Sequence, residues 1–505
     1  MADGEMKELS TFILRVKRHG LPALVLSLPL AGCVSNHTVQ APPSANYSWQ
    51  TLDIPEDWRR LASSGPTRDG GAHVGLSDLP AADAELDLPA LIDIAQRNSP
   101  ETRLAWSQAR QAASAVGIAE ATFLPMLSAH VVGGRTSARN ELPPIFGQRY
   151  DLNASTSGVV PLATLQWLLF DFGQRSAQRD SASNLSIGAN LLYNGAHQKL
   201  LYSVMTAYYE YDAARSRRHN AEESLENSKA VLAAVEARRD GGLATTVELA
   251  QARQLVAQGR LRVVTAQGSE RGAYQALVAA VGLDPTMTVQ VARMQRRTLP
   301  HASTRYTEEI LRRALATRPD VMASVAALKA AERSVDAAEA DFLPKVYLAG
   351  FVASGNRNLD VGSLPVLAGQ SNANGVIVGI SVPIFDGGLR SSRLQDARDR
   401  VHASRAALSE LQIEAMRQIV LASTSLETAL QAHEAASSLE HTALVTYDAA
   451  LAAYKHGVGT ITAATEAANG LLEARSALVD AYSGALTGAA TLAFALGRID
   501  EGQRQ

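Results

Sequence analysis

The sequence predicts an α+β membrane fold, mostly α, built from two tandem repeats that each give long helices and one β-hairpin. Three observations predict it: a duplication along nearly the whole chain, long stretches without proline, and four segments of alternating apolar residues.

The duplication is explicit. AEATFLP at Ala119–Pro125 returns as AEADFLP at Ala338–Pro344, 219 residues later (344 − 125), and the same offset sets Pro100-Glu101 on Pro319-Asp320. Phe170-Asp171-Phe172-Gly173 then matches Phe385-Asp386-Gly387-Gly388 at an offset of 215 (385 − 170), which also pairs Gly242 with Gly457, Thr245 with Thr460 and Gly282 with Gly497. One connecting loop between Pro125 and Phe170 absorbs the change. The expected divisions are 1–32 as an export signal, 33–85 as an extended tether, 86–284 as the first repeat, 285–304 as a linker, 305–500 as the second repeat and 501–505 as a tail.

The beginning of the chain reads as an address. Arg15, Lys17 and Arg18 precede an apolar run from Leu21 to Leu30, too short to span a bilayer as a helix, and Leu30-Ala31-Gly32-Cys33 closes it. This resembles a bacterial lipobox, with Cys33 as the lipidated mature N-terminus, and the residue after it, Val34, points to the outer membrane of a Gram-negative cell. The tether that follows is rich in Pro, Ser, Ala and Gly, with Trp49 and Trp58 able to pin it to a surface.

Each repeat then reads helix, strand, loop, strand, very long helix, turn, helix. No proline occurs from Leu162 to Asp284, nor from Ile384 to the end, while Ala, Leu, Gln, Glu and Arg dominate. Gln174 to Asp240 reads as one helix of 67 residues (240 − 174 + 1), roughly 100 Å long. The strands are Leu127–Arg135, Val159–Leu169, Val346–Gly355 and Val376–Ile384, each about ten residues, the length that a tilted membrane strand needs. Four strands cannot close a barrel, and lipid does not tolerate an open sheet edge, so the wall is expected to be shared between subunits. Phe-Leu-Pro ends a helix and starts the outbound strand; Phe-Asp-x-Gly ends the return strand, with Asp171 or Asp386 placed to cap the long helix.

Several classes are excluded. A net charge of −3 without a basic stripe speaks against nucleic acid, and one cysteine permits neither an internal disulfide nor a thiolate metal cluster. His433-Glu434 is followed by Ser437 where a helical zinc motif needs histidine, and no phosphate loop or G-x-S-x-G occurs, so no enzyme, cofactor or metal site is expected.

The paired FLP helix ends, FD-x-G strand ends, glycine turns and terminal Val281-Gly282 and Leu496-Gly497 together resemble the TolC family of outer-membrane efflux and secretion channels. That resemblance implies a homotrimer with a shared twelve-stranded β-barrel in the outer membrane and a helical tunnel through the periplasm. It also implies that the turns Gly242-Leu243-Ala244-Thr245 and Gly457-Val458-Gly459-Thr460 meet a periplasmic adaptor protein, and that Glu248 and Glu466 stand where family members line the tunnel mouth with carboxylates. Ala463 occupies the place of a frequent second aspartate, and Gly459 that of an arginine that latches some closed channels. The implied function is a passive exit duct driven by an inner-membrane pump of RND type or an ABC exporter; the alternative is the duct of a type I protein secretion system.

Overall fold

In the computed structural model the described residues are Ser44, 85–145, 148–283, 288–296, 298–299, 308–361 and 367–499. The export signal with Cys33, both tether tryptophans and the 501–505 tail lie outside them. Ser44 is the exception in the tether: its carbonyl accepts a 3.0 Å hydrogen bond from the Tyr193 hydroxyl.

Proline sets the first departure from expectation. Each repeat opens with two helices, not one: α1 (Leu88–Asn98) and α2 (Pro100–Ala121) in the first, α5 (Glu308–Thr317) and α6 (Pro319–Ala340) in the second. Ser99 and Arg318, each preceding a proline, are held extended at ψ 120° and 122°, which breaks the helix, while the proline itself starts the next one at no hydrogen-bond cost.

The long helices α3 (Gln174–Asp240) and α7 (Leu389–Lys455) are both 67 residues, as expected, and return through α4 (Thr246–Val281) and α8 (Ile461–Ala495). Asp171 and Asp386 do not occupy the N-cap position. Gly173 and Gly388 do, at φ 93° and 89°, a left-handed conformation that suits glycine. Each aspartate acts from two residues further back: Asp171 accepts from the Gly173 and Arg175 backbone N–H groups and from the Arg175 side chain, and Asp386 repeats this with Gly388 and Arg390. The motif is therefore F-D-x-G-x-R. The Arg175 guanidinium lies 4.8 Å over the Phe123 ring and donates to the Thr122 carbonyl, and Arg390 lies 5.5 Å over Phe342. Thus the two halves of the repeat signature clasp each other where helix meets strand.

The strands are longer than expected. β2 (Met126–Ile145), β3 (Gln148–Phe170), β5 (Lys345–Val361) and β6 (Leu367–Ser381) have 20, 23, 17 and 15 residues, and pair antiparallel in the order β2-β3-β5-β6. Val382 and Ile384 fall outside β6, since Pro383 has no N–H to continue a ladder. Alternation reveals only the band that meets lipid; beyond it the ladder continues with polar residues such as Thr136 paired to Thr156. Register places Leu127, Leu165, Gly350 and Val376 side by side on one face, next to Trp167, Leu348 and Val378. The opposite face carries Ser128, Thr164, Phe351 and Gly375. Gly375 leaves space for the Phe351 ring, since an added Cβ would stand 2.9 Å from it and the ring would have to turn aside. Among the described residues the outer edges of β2 and β6 have no strand beside them.

Within the expected linker, residues 288–296 have described structure. β4 (Gln290–Val291) pairs in parallel with β1 (Glu85–Leu86), so Glu85 belongs to the folded body, and Val291 enters a core with Leu91, Leu201, Val204, Tyr208 and Val278. Along the bundle α4 packs on α3, α3 on α8, and α8 and α6 on α7; among the described residues α4 and α7 share no packed face.

Candidate functional site: the helical tips

The two turns that end the helical hairpins share a backbone plan. Gly242 and Gly457 take φ 73° and 79°, and Leu243 and Val458 donate back to the Arg238 and Ala453 carbonyls, closing each helix. Both turns then present an apolar residue to solvent, Leu243 at 70% and Val458 at 84% exposure. Beneath them Val231, Val235, Leu249, Leu255, Tyr447, Leu451, Tyr454, Ile461 and Leu471 form one core shared by all four helices, so the tips are held as a unit.

Their capping differs. Thr245 accepts from the Glu248 N–H at 3.2 Å while the Glu248 carboxylate accepts from the Thr245 N–H at 2.6 Å, a complete capping box. Thr460 accepts from the Ala463 N–H, but alanine returns nothing. The bond from the Thr245 backbone, with Arg238 nearby, holds the Glu248 carboxyl below its ordinary value. Glu466, in contrast, is exposed and pairs with no described residue. The structure thus separates the two expected tunnel-mouth acids: Glu248 is bound into a helix cap beside an arginine, and Glu466 is free.

Arg238 was not singled out by the sequence. Its Nη1 donates to the Tyr454 carbonyl at 2.6 Å, and its guanidinium lies 4.8 Å over the Tyr454 ring, joining the first tip to the second. A signal existed in the duplication, because the offset of 215 sets this cation against Ala453. Burial, with the Glu248 charge adding, raises the Tyr454 hydroxyl pKa. Gly459, in the place of the family's latching arginine, stands close against Ala453: an added Cβ would fall 3.0 Å from the Ala453 Cβ, so a side chain there would require the turn to shift.

Long helices bearing a β-sheet with an apolar face, twice over in one chain, match the outer membrane efflux protein family model at residues 91–283 and 310–498. The chain belongs to that family. It is an outer-membrane efflux channel protein. Protein CyaE of Bordetella pertussis is 29% identical over 369 residues, covering 70% of this chain and 73% of the relative. Pyoverdine export outer membrane protein OpmQ of Pseudomonas putida is 31% identical over 362 residues, covering 69% and 71%. Outer membrane protein OprJ of Pseudomonas aeruginosa is 25% identical over 447 residues, covering 88% of both. Among solved structures, CusC has a TM-score of 0.67 at 21% identity, covering 91% of this chain and 98% of that one, which shows the shared fold. As an efflux protein of this family the chain is a conduit in the outer membrane, and its fold is that of a channel.

Proposed function

We propose that this protein is the outer-membrane exit duct of a tripartite export complex, assembled as a homotrimer and driven by an inner-membrane pump. The observation that carries this reading is the four-stranded sheet with an apolar face and two open edges: three copies joined edge to edge give twelve strands and leave none unpaired. The faces that α4 and α7 leave exposed support the same closure, since a heterologous contact of α7 on the next subunit's α4 repeats around a threefold axis. Val247, Leu261 and Val264 on α4 and Ile413, Leu421 and Leu439 on α7 are exposed apolar residues suited to it.

Lipid at Cys33 supplies a second anchor beside the barrel, and the tips, with Leu243 and Val458 outermost, meet the periplasmic adaptor. Glu466 faces the tunnel mouth. Cross-linking in membranes tests the assembly: species that end at three copies are expected, and species that end at two overturn it. Mass spectrometry of the mature N-terminus tests the lipid. Co-purification with an adaptor and a proton-driven pump supports the efflux duct; co-purification with an ATP-driven exporter instead supports the type I secretion duct or an ABC-driven efflux system.

A further inference from the structure

A cavity of about 560 Å³ lies midway down the helices, between α3, α7, α8 and the segment that follows β4. That volume falls within the roughly 300–1,000 Å³ of small-molecule sites. Its charge is one-sided. Arg215 comes from α3 and Arg293 and Arg296 from the segment after β4, against a single lining acid, Asp212. Three cations less one anion leave +2 in a chain whose total is −3.

Arg215 is already oriented, since its Nη1 donates to the Val291 carbonyl at 3.1 Å. Neither Arg293 nor Arg296 forms an ion pair or hydrogen bond with a described residue, and both are exposed. Asp212 compensates only part of this charge: burial pushes its pKa up, and against that its carboxylate accepts from the Met294 N–H and feels Arg215 and Arg293, leaving Arg296 without an opposing acid in the lining. Tyr209 and Tyr482 add ring surface to the same cavity. The duplication shows that this cation set is not a by-product of the bundle. At the offset of 215, Glu427, Leu430 and Glu434 stand for Asp212, Arg215 and His219, so the twin level of the second repeat is acidic.

We propose that this cavity binds a small polycarboxylate, with Arg215, Arg293 and Arg296 pairing its carboxylates and Tyr209 and Tyr482 flanking its carbon skeleton. Guanidinium forks suit planar carboxylates, and cations drawn from two separate elements suit an acid whose charges are spaced along a skeleton. Guanidinium forks also take phosphate, but a compact phosphate gathers its donors at one point, whereas these cations come from separate elements. Two sources share this chemistry in the periplasm: a free polycarboxylic acid, and the acidic stem peptides of the cell wall.

The test is calorimetric titration of the full-length protein in detergent with citrate and, separately, with the wall tripeptide L-Ala-γ-D-Glu-meso-diaminopimelate. Binding of either is expected to weaken at least tenfold in the Arg293→Ala, Arg296→Ala double variant and to stay unchanged in Arg260→Ala, an exposed arginine outside the cavity. Because both altered side chains are exposed and neither forms a hydrogen bond with a described residue, the variant's melting temperature should stay close to that of the parent. Citrate alone binding identifies a free acid, and the tripeptide binding identifies the wall. Failure of both to bind, or affinity that survives the double substitution, overturns the proposal.

Discussion

Two helices of equal length, α3 and α7, descend from one duplicated unit yet live in different surroundings. α3 has 22 buried residues, including Tyr193, Val204, Val231 and Val235, whereas α7 has 10. The difference is positional: α3 packs against α2, α4, α6 and α8, while α7 packs mainly against α6 and α8. Duplication copies a sequence pattern, and topology then decides which copy is core and which is edge. On the proposed trimer both kinds have a use, a helix that holds the protomer together and one that meets the next subunit.

The comparison is sharpest at the two clasps. Arg175 and Asp171 have side chains 8% and 7% exposed, Arg390 and Asp386 10% and 27%. Removing one partner of a buried pair strands the other's charge, so Arg175→Ala should cost about 3–5 kcal/mol, read as loss of folded protein or a large drop in melting temperature. Arg390→Ala should cost clearly less, because water reaches Asp386. Equal losses would show that burial does not separate the two copies.

Next in size is the helix contrast itself. Leu201 is 2% exposed in α3, so Leu201→Ala should destabilise the fold by about 2–5 kcal/mol. Leu421 is 53% exposed in α7; Leu421→Ala should leave the protomer's stability nearly unchanged and lower the yield of cross-linked trimer instead. A smaller effect belongs to Arg238, whose bonds to Tyr454 join the tips. Arg238→Ala should cost about 1.5–3 kcal/mol, as hydrogen bonds from charged groups do, concentrated in faster amide exchange at residues 238–249 and 451–464.

Much of this architecture is legible in the residues because it rests on local rules. Proline-free runs of good helix formers gave the bounds of α3, and the glycine turns marked both tips. What was illegible depends on partners far along the chain. The break before Pro100 and Pro319 could have been read from the restriction on Ser99 and Arg318, but the docking of residues 290–294 onto Tyr208, Asp212 and Arg215 could not, since those contacts span 76 to 84 residues. Strand length was underestimated because hydrophobic alternation reports lipid, while a ladder beyond the lipid needs only backbone pairing. At the tips the sequence supplied Glu248 and Glu466 as equals; only the turn geometry shows that the first is consumed by a cap.

That inequality yields the smallest and most specific effect. Glu248 stabilises its turn as a carboxylate, and its pKa lies below the ordinary 4.5, so its contribution is full above that value and is lost as the pH falls through the depressed one. Thr245→Ala should cost about 1 kcal/mol at neutral pH, and Glu248→Gln should remove the acid-dependent part, both seen as earlier unfolding of the tip. Thr460→Ala should cost less, its cap having no reciprocal acid, and Ala463→Glu should supply one and gain a few tenths of a kcal/mol. Neither Thr245→Ala nor Glu248→Gln should alter ion passage, because the Glu248 carboxylate is held by the Thr245 backbone N–H and lies near Arg238. Glu466 has no such partner, and on the proposed threefold axis its three copies form a ring that attracts cations. Glu466→Gln should therefore weaken the block of channel current by divalent cations added at the periplasmic end, while leaving the melting temperature of the tip unchanged. Block relieved by Glu248→Gln and untouched by Glu466→Gln would reverse the assignment and place the capped acid, not the free one, at the tunnel mouth.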